Sequence, residues 1–401
     1  MADPAKSRWL CVVPSFYGWS GDAVNERQLV TTLAREVDKC YVLTIISLRQ
    51  LLSRRSELKV DLPGNMSIFA FPLLQPHILL SCFALTGISC IVGIVSLMLY
   101  RLKKIDFIYV RTSILAMGIL TFRALSKKTI VKMAEIVEDE IQSGVIIKSS
   151  AGRLASVLDR LTLAKAKRVA VGGTGLYYEI IRRRSFQHES EALEITPGVD
   201  LHVIQKIRRQ HGRALPKTGN IGFLGTMHWW QGTILLAEAA SILSRKIPNT
   251  KLLFLGDGPL RKETVRVCER EGIRYELSGY LSHEETLKRL ASLDVMVSPT
   301  LSTSTTDGIV SLKIIEAWAL GIPVVATKRK ALTDTYENCK DIIYCDPNPK
   351  SIAGSVELLL ENENLRLRLA ERGPELARHF SYDKIVDKLL AASFGGCLGS
   401  A

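Results

Sequence analysis

The chain has 401 residues, enough for two domains of ordinary size, and its 47% apolar content excludes wholesale disorder. Lys and Arg number 53 against 40 Asp and Glu, a formal net charge of +13. That excess favours an anionic partner (nucleic acid, acidic lipid or a phosphorylated substrate) without choosing among them.

In chain order, Arg8 is followed by five apolar residues, Trp9–Val13, before Pro14, which is too short for a secretory signal core and right for a first strand. A Gly-bearing loop, 14–21, leads to a helical pattern through Arg35. Tyr41–Ser47, Ser67–Phe71, Phe107–Val110, Thr129–Met133 and Arg168–Val171 read as further strands. The pattern restarts near residue 220, with strands at Asn220–Leu224, Lys251–Leu255, Arg274–Leu277, Val295–Ser298, Val324–Ala326 and Ile342–Tyr344 and a helix at Ile234–Arg245. Alternating strands and helices imply α/β architecture with parallel sheets, so two Rossmann-like domains facing across a cleft are expected. The linker is placed near 185–215, the domains at 1–195 and 196–375, and a C-terminal helix within 376–401 is expected to pack back on the first domain. The eight cysteines show no Cys-x2-Cys pair and read as scattered thiols of a reducing compartment, with no metal site.

No Asp, Glu, Lys or Arg occurs from Leu62 to Tyr100, and Ile78–Tyr100 is apolar apart from Ser, Thr and Gly. At ~1.5 Å per residue this stretch is long enough to cross a bilayer. A crossing would separate strands 67–71 and 107–110, expected side by side in one sheet. The expectation is therefore a helix, or a pair broken near Gly87, that dips into one leaflet, with Arg101, Lys103 and Lys104 meeting anionic headgroups. A fully buried crossover helix and a true span are the alternatives.

Residues 307–327 are the most informative stretch. A polar loop, Asp307-Gly308-Ile309-Val310-Ser311, enters an amphipathic helix that stops at Gly321-Ile322-Pro323 before an apolar strand. Unpaired amides and the positive end of the helix dipole make such a start an anion pocket. It suits a nucleotide diphosphate, with phosphate at the amides and ribose hydroxyls at Glu316. Gly172-Gly173-Thr174-Gly175 reads as a strand-to-helix turn, because it lacks the third glycine and the acidic residue of a dinucleotide loop.

The chain resembles GT-B glycosyltransferases, in particular the retaining enzymes of glycosyltransferase family four. The residues that carry this are Gly222-Phe-Leu-Gly225, Leu255-Gly-Asp-Gly-Pro-Leu260, Ser278-Gly-Tyr280, Asp294-Val-Met-Val-Ser-Pro299, the 307–327 block and Ile195-Thr-Pro-Gly-Val-Asp200. The resemblance implies transfer of a hexose from a nucleotide diphosphate sugar with retention, no cofactor and no divalent ion, and domain closure that excludes water. Ile309, Val310 and Ser311 would supply amides and Lys313 a charge to the leaving diphosphate. Asp307 or Gly308 would lie by the donor sugar. Gly225 opens the first Gly-rich loop of the second domain. Gly256 and Gly258 would contact the nucleobase or hold the sheet end. Gly21, with Gly18, would approach the donor phosphates or the acceptor, or form a plain turn. Glu135 or Glu138 would touch substrate or form a solvated helix start.

The chain departs from the family pattern in three places. Gly308 stands where the first Glu of a Glu-x7-Glu pair is usual. Gln231 and Thr226-Met227-His228 stand where Lys and Arg are usual. Lys313-Ile-Ile-Glu316 matches a related subgroup; Lys313 and Glu316 share a helix face, and an ordinary surface ion pair is the other reading. The apolar stretch points to a membrane lipid-linked acceptor, a polyprenyl-diphosphate glycan or a lipid headgroup, at the cytoplasmic face of a membrane. An inactive glycosyltransferase-like subunit at the membrane is the alternative. Nucleic acid is not expected as a partner, because the cations are spread over 101–104, 123–132, 182–184 and 205–213 instead of forming a basic aromatic face.

Overall fold

The computed structural model describes residues 3–18, 20–47, 62–73, 78–133, 150–173, 175, 192–211 and 218–394. The chain divides into two units: Met1–Gly18, Glu26–Thr196 and Asp383–Ala401 form one, and Trp19–Asn25 with Pro197–Tyr382 the other.

In the first unit the chain order is β1 (Arg8–Val12), α1 (Gly21–Arg35), β2 (Lys39–Ser47), β3 (Met66–Leu73), α2 (Ile78–Arg101), β4 (Phe107–Arg111), α3 (Ser113–Leu120), β5 (Thr129–Met133), α4 (Ser150–Lys165), β6 (Arg168–Val171) and β7 (Ala192–Glu194). The seven strands pair in parallel in the order β3-β2-β1-β4-β5-β6-β7. β4 and β5 are buried along their whole length, which is why they read as apolar runs instead of alternating patterns. The strands flanking α2 share this sheet as expected, but β2 and β1 lie between them, so they are not neighbours.

Glu26 is the charged hub of this unit. Its carboxylate accepts from Lys132 Nζ at 2.7 Å and Tyr109 Oη at 2.8 Å, and Arg111 Nε lies 3.6 Å away. Three partners offset the desolvation of a carboxylate that is 1% exposed. The switch in strand order falls between β1 and β4, where Arg111 Nη1 donates to Ser15 Oγ at 3.3 Å. The next residue, Thr112, has φ of 89°, a strained value for a β-branched side chain.

α2 is one continuous helix through Gly87 and is not a broken pair. One face packs on α3: Ser89 Oγ donates to Leu115 O at 3.1 Å and accepts from Gly118 N at 2.8 Å. A Cβ on Gly93 would lie 2.3 Å from Gly118 O, so the two backbones touch. The opposite face is open, with Ile91, Ile94 and Met98 at least half exposed. That removes the fully buried crossover helix. Among the described residues no helix is long and apolar enough to cross a membrane.

The second unit continues with α5 (Leu201–His211), β8 (Asn220–Leu224), α6 (Thr233–Ser244), β9 (Lys251–Leu255), α7 (Arg261–Arg270), β10 (Tyr275–Leu277), α8 (His283–Leu290), β11 (Val295–Ser298), α9 (Leu312–Leu320), β12 (Val324–Thr327), β13 (Ile343–Cys345), α10 (Pro349–Glu361) and α11 (Glu363–Ala377). Its strands pair in parallel in the order β10-β9-β8-β11-β12-β13. Two apolar clusters cover the faces: one around Phe223, Phe254 and Leu236, the other around Ile314, Trp318 and Met296. The stretch expected as linker holds β7 and α5, whereas Arg182–Arg184 and Glu135, Glu138 and Glu140 lie outside the described residues. The final helix, α12 (Tyr382–Ser393), begins where the chain passes from the second unit to the first, and the Phe394 ring packs on Phe107 at 4.8 Å.

Candidate active site

In the second unit the strand order reverses between β8 and β11. Ligands of open parallel sheets bind beyond the carboxyl ends at such a switch. Four loops meet there. After β8, Gly225 has φ of +136°, and after β9, Gly256 has φ of +141°. A Cβ on Gly256 would lie 2.2 Å from Gly225 O, and one on Gly258 2.5 Å from Met227 N. Glycine at 256 and 258 is thus demanded by the packing of one loop on the other, fixed by Met227 N donating to Asp257 O at 2.9 Å. The β8 loop continues as His228-Trp229-Trp230-Gln231, with the His228 ring stacked on Trp230 at 4.4 Å and Leu301 N donating to Trp230 O at 2.7 Å.

The third loop follows β11. Thr303 caps the helical turn Ser304–Asp307 through a capping box. Gly308 has φ of −91°, a value open to any residue. The amides of Ile309, Val310 and Ser311 donate to no carbonyl among the described residues. Ser311 stands at the N-cap of α9 without capping it, and its Oγ is buried without a partner. Asp307 accepts from Ser302 Oγ, and its Oδ1 is buried without a partner. These groups surround the positive end of α9, as an anion pocket requires.

Lys313 lies one residue inside α9 and is 8% exposed. Its Nζ donates to Gln231 Oε1, lies 4.6 Å over the Phe223 ring, and comes within 3.2 Å of where a Cβ on Gly225 would sit. Burial, aided by the charge of Arg329, lowers its pKa to about 7. Glu316, one turn on, is 4% exposed, and His283 Nε2 donates to its Oε1 at 2.6 Å. Lys313 and Glu316 therefore have separate partners and are both buried, which overturns the surface ion pair reading. The fourth loop, after β12, carries Arg329 at 2% exposure.

The structure thus gathers Gly225, Asp307, Gly308, Ile309, Val310, Ser311, Lys313 and Glu316 around one switch point, with Gly256 and Gly258 supporting the β8 loop. Gly21 begins α1, is exposed, and a Cβ there would meet nothing within 4 Å. Its own packing does not demand glycine. Three participants were not anticipated. Gln231 was read only as a missing cation, His283 follows a helix cap without any motif, and Arg329 sits in a Lys-Arg-Lys run that resembles an ordinary solvated turn.

The two parallel Rossmann-like sheets, with an anion pocket at the switch of the second, define the class as the GT-B fold of glycosyltransferases. Sucrose-phosphate synthase from Thermosynechococcus elongatus shares that fold with a TM-score of 0.72 at 16% identity, over 96% of this chain and 97% of that one. HepE from Anabaena, solved in complex with UDP-glucose, matches with a TM-score of 0.67 at 16% identity over 97% and 99%. Residues 218–362 match the family model described as Glycosyl transferases group 1. The D-inositol 3-phosphate glycosyltransferase of Corynebacterium urealyticum is 26% identical over 222 residues, 51% of each chain. The chain therefore spans about half the length of the curated relatives it matches.

Proposed function

We propose that the protein is a glycosyltransferase that moves a hexose from a nucleotide diphosphate sugar, with retention at the anomeric carbon, to a lipid-linked acceptor at a membrane surface. The observation that carries the reading is the α9 start. Buried Lys313, three amides without carbonyl partners and the uncommitted Ser311 Oγ converge where a leaving diphosphate gathers charge. Preorganised donors of this kind stabilise a leaving group without reorganising during reaction. Glu316 would take the ribose hydroxyls and Asp307 would lie near the sugar. A nucleotide sugar is also the ligand of HepE, a protein of the same fold.

The acceptor reading rests on α2. Its open apolar face ends at Arg101, Lys103 and Lys104, all exposed, which suits a surface that is apolar below and anionic above. The strained Thr112 and the buried Arg111 at the first sheet's switch mark where that unit would meet the acceptor headgroup.

The experiment is incubation of membranes containing the protein with radiolabelled UDP-, GDP- and ADP-sugars, followed by lipid extraction. One nucleotide sugar is expected to label the lipid fraction, with Glu316→Ala and Lys313→Ala each lowering labelling at least 100-fold and the product anomer matching the donor's. Labelling that survives both substitutions would remove the site assignment. Binding of a nucleotide sugar without turnover would favour an inactive subunit.

A further inference from the structure

Between Gly225 and Ser244 the chain contains no Lys or Arg. The β8 loop therefore brings no cation to the anion pocket, and Lys313 alone would face a diphosphate that carries two or three negative charges. Arg329 changes that count. It stands just beyond β12, at the N-cap of the helical turn Lys330–Thr333. Its Nη1 donates to Thr306 O at 2.6 Å and Ile309 O at 3.4 Å, so the guanidinium lies against the loop whose amides form the pocket. Its Nε and Nη2 are buried and have no partner among the described residues.

A buried guanidinium normally meets a carboxylate, because a desolvated charge without a partner is destabilising. Here the first unit provides a contrast: Arg111 and Lys132 converge on Glu26. Lys313 and Arg329 make no ion pair among the described residues, and the charge of Arg329 reaches Lys313. The carboxylate of Asp307 acts on Arg329 through its charge, and its Oδ1 also lacks a partner among the described residues. Two buried cations, an N-terminal helix dipole and unpaired amides at one spot are short of negative charge. The arrangement is balanced when an anion of charge two or more enters.

We propose that Arg329 is the second cation of the pocket and, with Lys313, holds the diphosphate of the nucleotide ligand. This rests on the nucleotide-sugar reading above. It makes Arg329 a residue that binds the phosphates from the β12 side while Lys313 binds them from the β8 side. The tether to Thr306 and Ile309 fixes its guanidinium, and its charge, with Nε and Nη2 uncommitted, is left for the phosphate oxygens.

The test is calorimetric titration of the purified full chain with nucleoside diphosphates and the corresponding monophosphates. The variants are Lys313→Gln, Arg329→Gln and Arg329→Lys, with thermal midpoints recorded for each. Arg329→Gln keeps an amide donor for the two carbonyls and removes the charge. It is expected to weaken diphosphate binding at least tenfold and monophosphate binding less than twofold. Arg329→Lys keeps the charge and is expected to stay within threefold of the parent protein. If Arg329→Gln binds the diphosphate as the parent does, Arg329 only tethers the loop and the proposal falls. If Arg329→Gln does not fold, the Lys variant decides: a tenfold loss in a folded Arg329→Lys protein overturns the proposal, and retention supports it. A parent protein that binds none of the nucleoside diphosphates would instead refute the nucleotide-sugar reading itself.

Discussion

Lys313 makes the pocket sensitive to pH. Burial holds its pKa near 7 in the empty protein, against 10.5 for a free side chain. An incoming diphosphate favours the ammonium and raises that value, so binding takes up a proton above pH 7. Affinity should be flat below pH 7 and fall by up to about tenfold per pH unit above it until the raised value is reached. Titration at pH 6.5, 7.5 and 8.5 measures this, and Lys313→Gln should flatten the profile. Stability runs the other way. Between about 7 and 10.5 the unfolded chain binds the proton that the native lysine has lost, so the empty protein should gain stability as pH rises through that window. Glu316 gives a second residue-scale prediction. His283 occupies Oε1 and thereby orients the carboxylate. His283→Ala should raise the KM for the sugar nucleotide about 3- to 10-fold with little change in kcat, the loss of one charge-assisted hydrogen bond of ~1 kcal/mol. Equal loss in both constants would assign His283 to the chemical step instead. The loop amides and Lys313 were legible in the sequence because a helix start and an i, i+3 pair are local. Arg329 and His283 were not, because each reaches the pocket from another strand's loop, and only the folded sheet brings β10, β11 and β12 ends together.

The helices were legible at their periodic cores and less so where glycine decides the packing. α2 carries two glycines and α3 a third, with different duties. Gly87 is exposed and a Cβ there would meet nothing within 4 Å, whereas a Cβ on Gly93 would lie 2.3 Å from Gly118 O and one on Gly118 1.9 Å from Ser89 O. The sequence allows one helix or a pair broken near Gly87; the helix continues there, and the glycine that matters lies six residues on. Substituting alanine should separate these roles. Gly93→Ala and Gly118→Ala should each cost ~1–3 kcal/mol, because backbone cannot move aside as a flexible side chain can. Gly87→Ala should be neutral or stabilise by up to ~1 kcal/mol through helix propensity. Urea unfolding of the three variants checks this, and equal losses would show that α2 does not pack on α3 through Gly93. The close approach also explains why α2 is two-faced. Small residues Ser89, Gly93 and Ser96 lie inward, so Ile91, Ile94 and Met98 turn outward.

At the scale of the whole molecule, the alternation of apolar runs and helical stretches was enough to foresee two parallel sheets. The order of strands within each was not, because parallel strands carry no pairing signal beyond burial on both faces. The charge-free stretch was the hardest to read: an apolar run suits a core helix, a leaflet or a span until its surroundings are known. In the fold it is a helix that packs on α3 at Ser89 and Gly93 and exposes Ile91, Ile94 and Met98. α4 also leaves two apolar residues, Val157 and Leu161, more than half exposed. A proposal of membrane docking then predicts two separable contributions. The exposed cations Arg101, Lys103 and Lys104 should add about 1 kcal/mol each at an anionic surface, and this part should fade with salt as the Debye length shortens to ~3 Å at 1 M. The apolar face should add a part that salt does not remove. Flotation with phosphatidylglycerol-containing and pure phosphatidylcholine vesicles separates them. Reversing the three cations to Glu should abolish the preference for anionic vesicles and leave weak binding to both. Ile94→Glu with Met98→Glu should abolish binding to both while nucleoside diphosphate affinity, which belongs to the other unit, stays unchanged. If neither set of substitutions alters flotation, α2 does not meet the bilayer, and the open face of the first unit must be covered by something other than lipid.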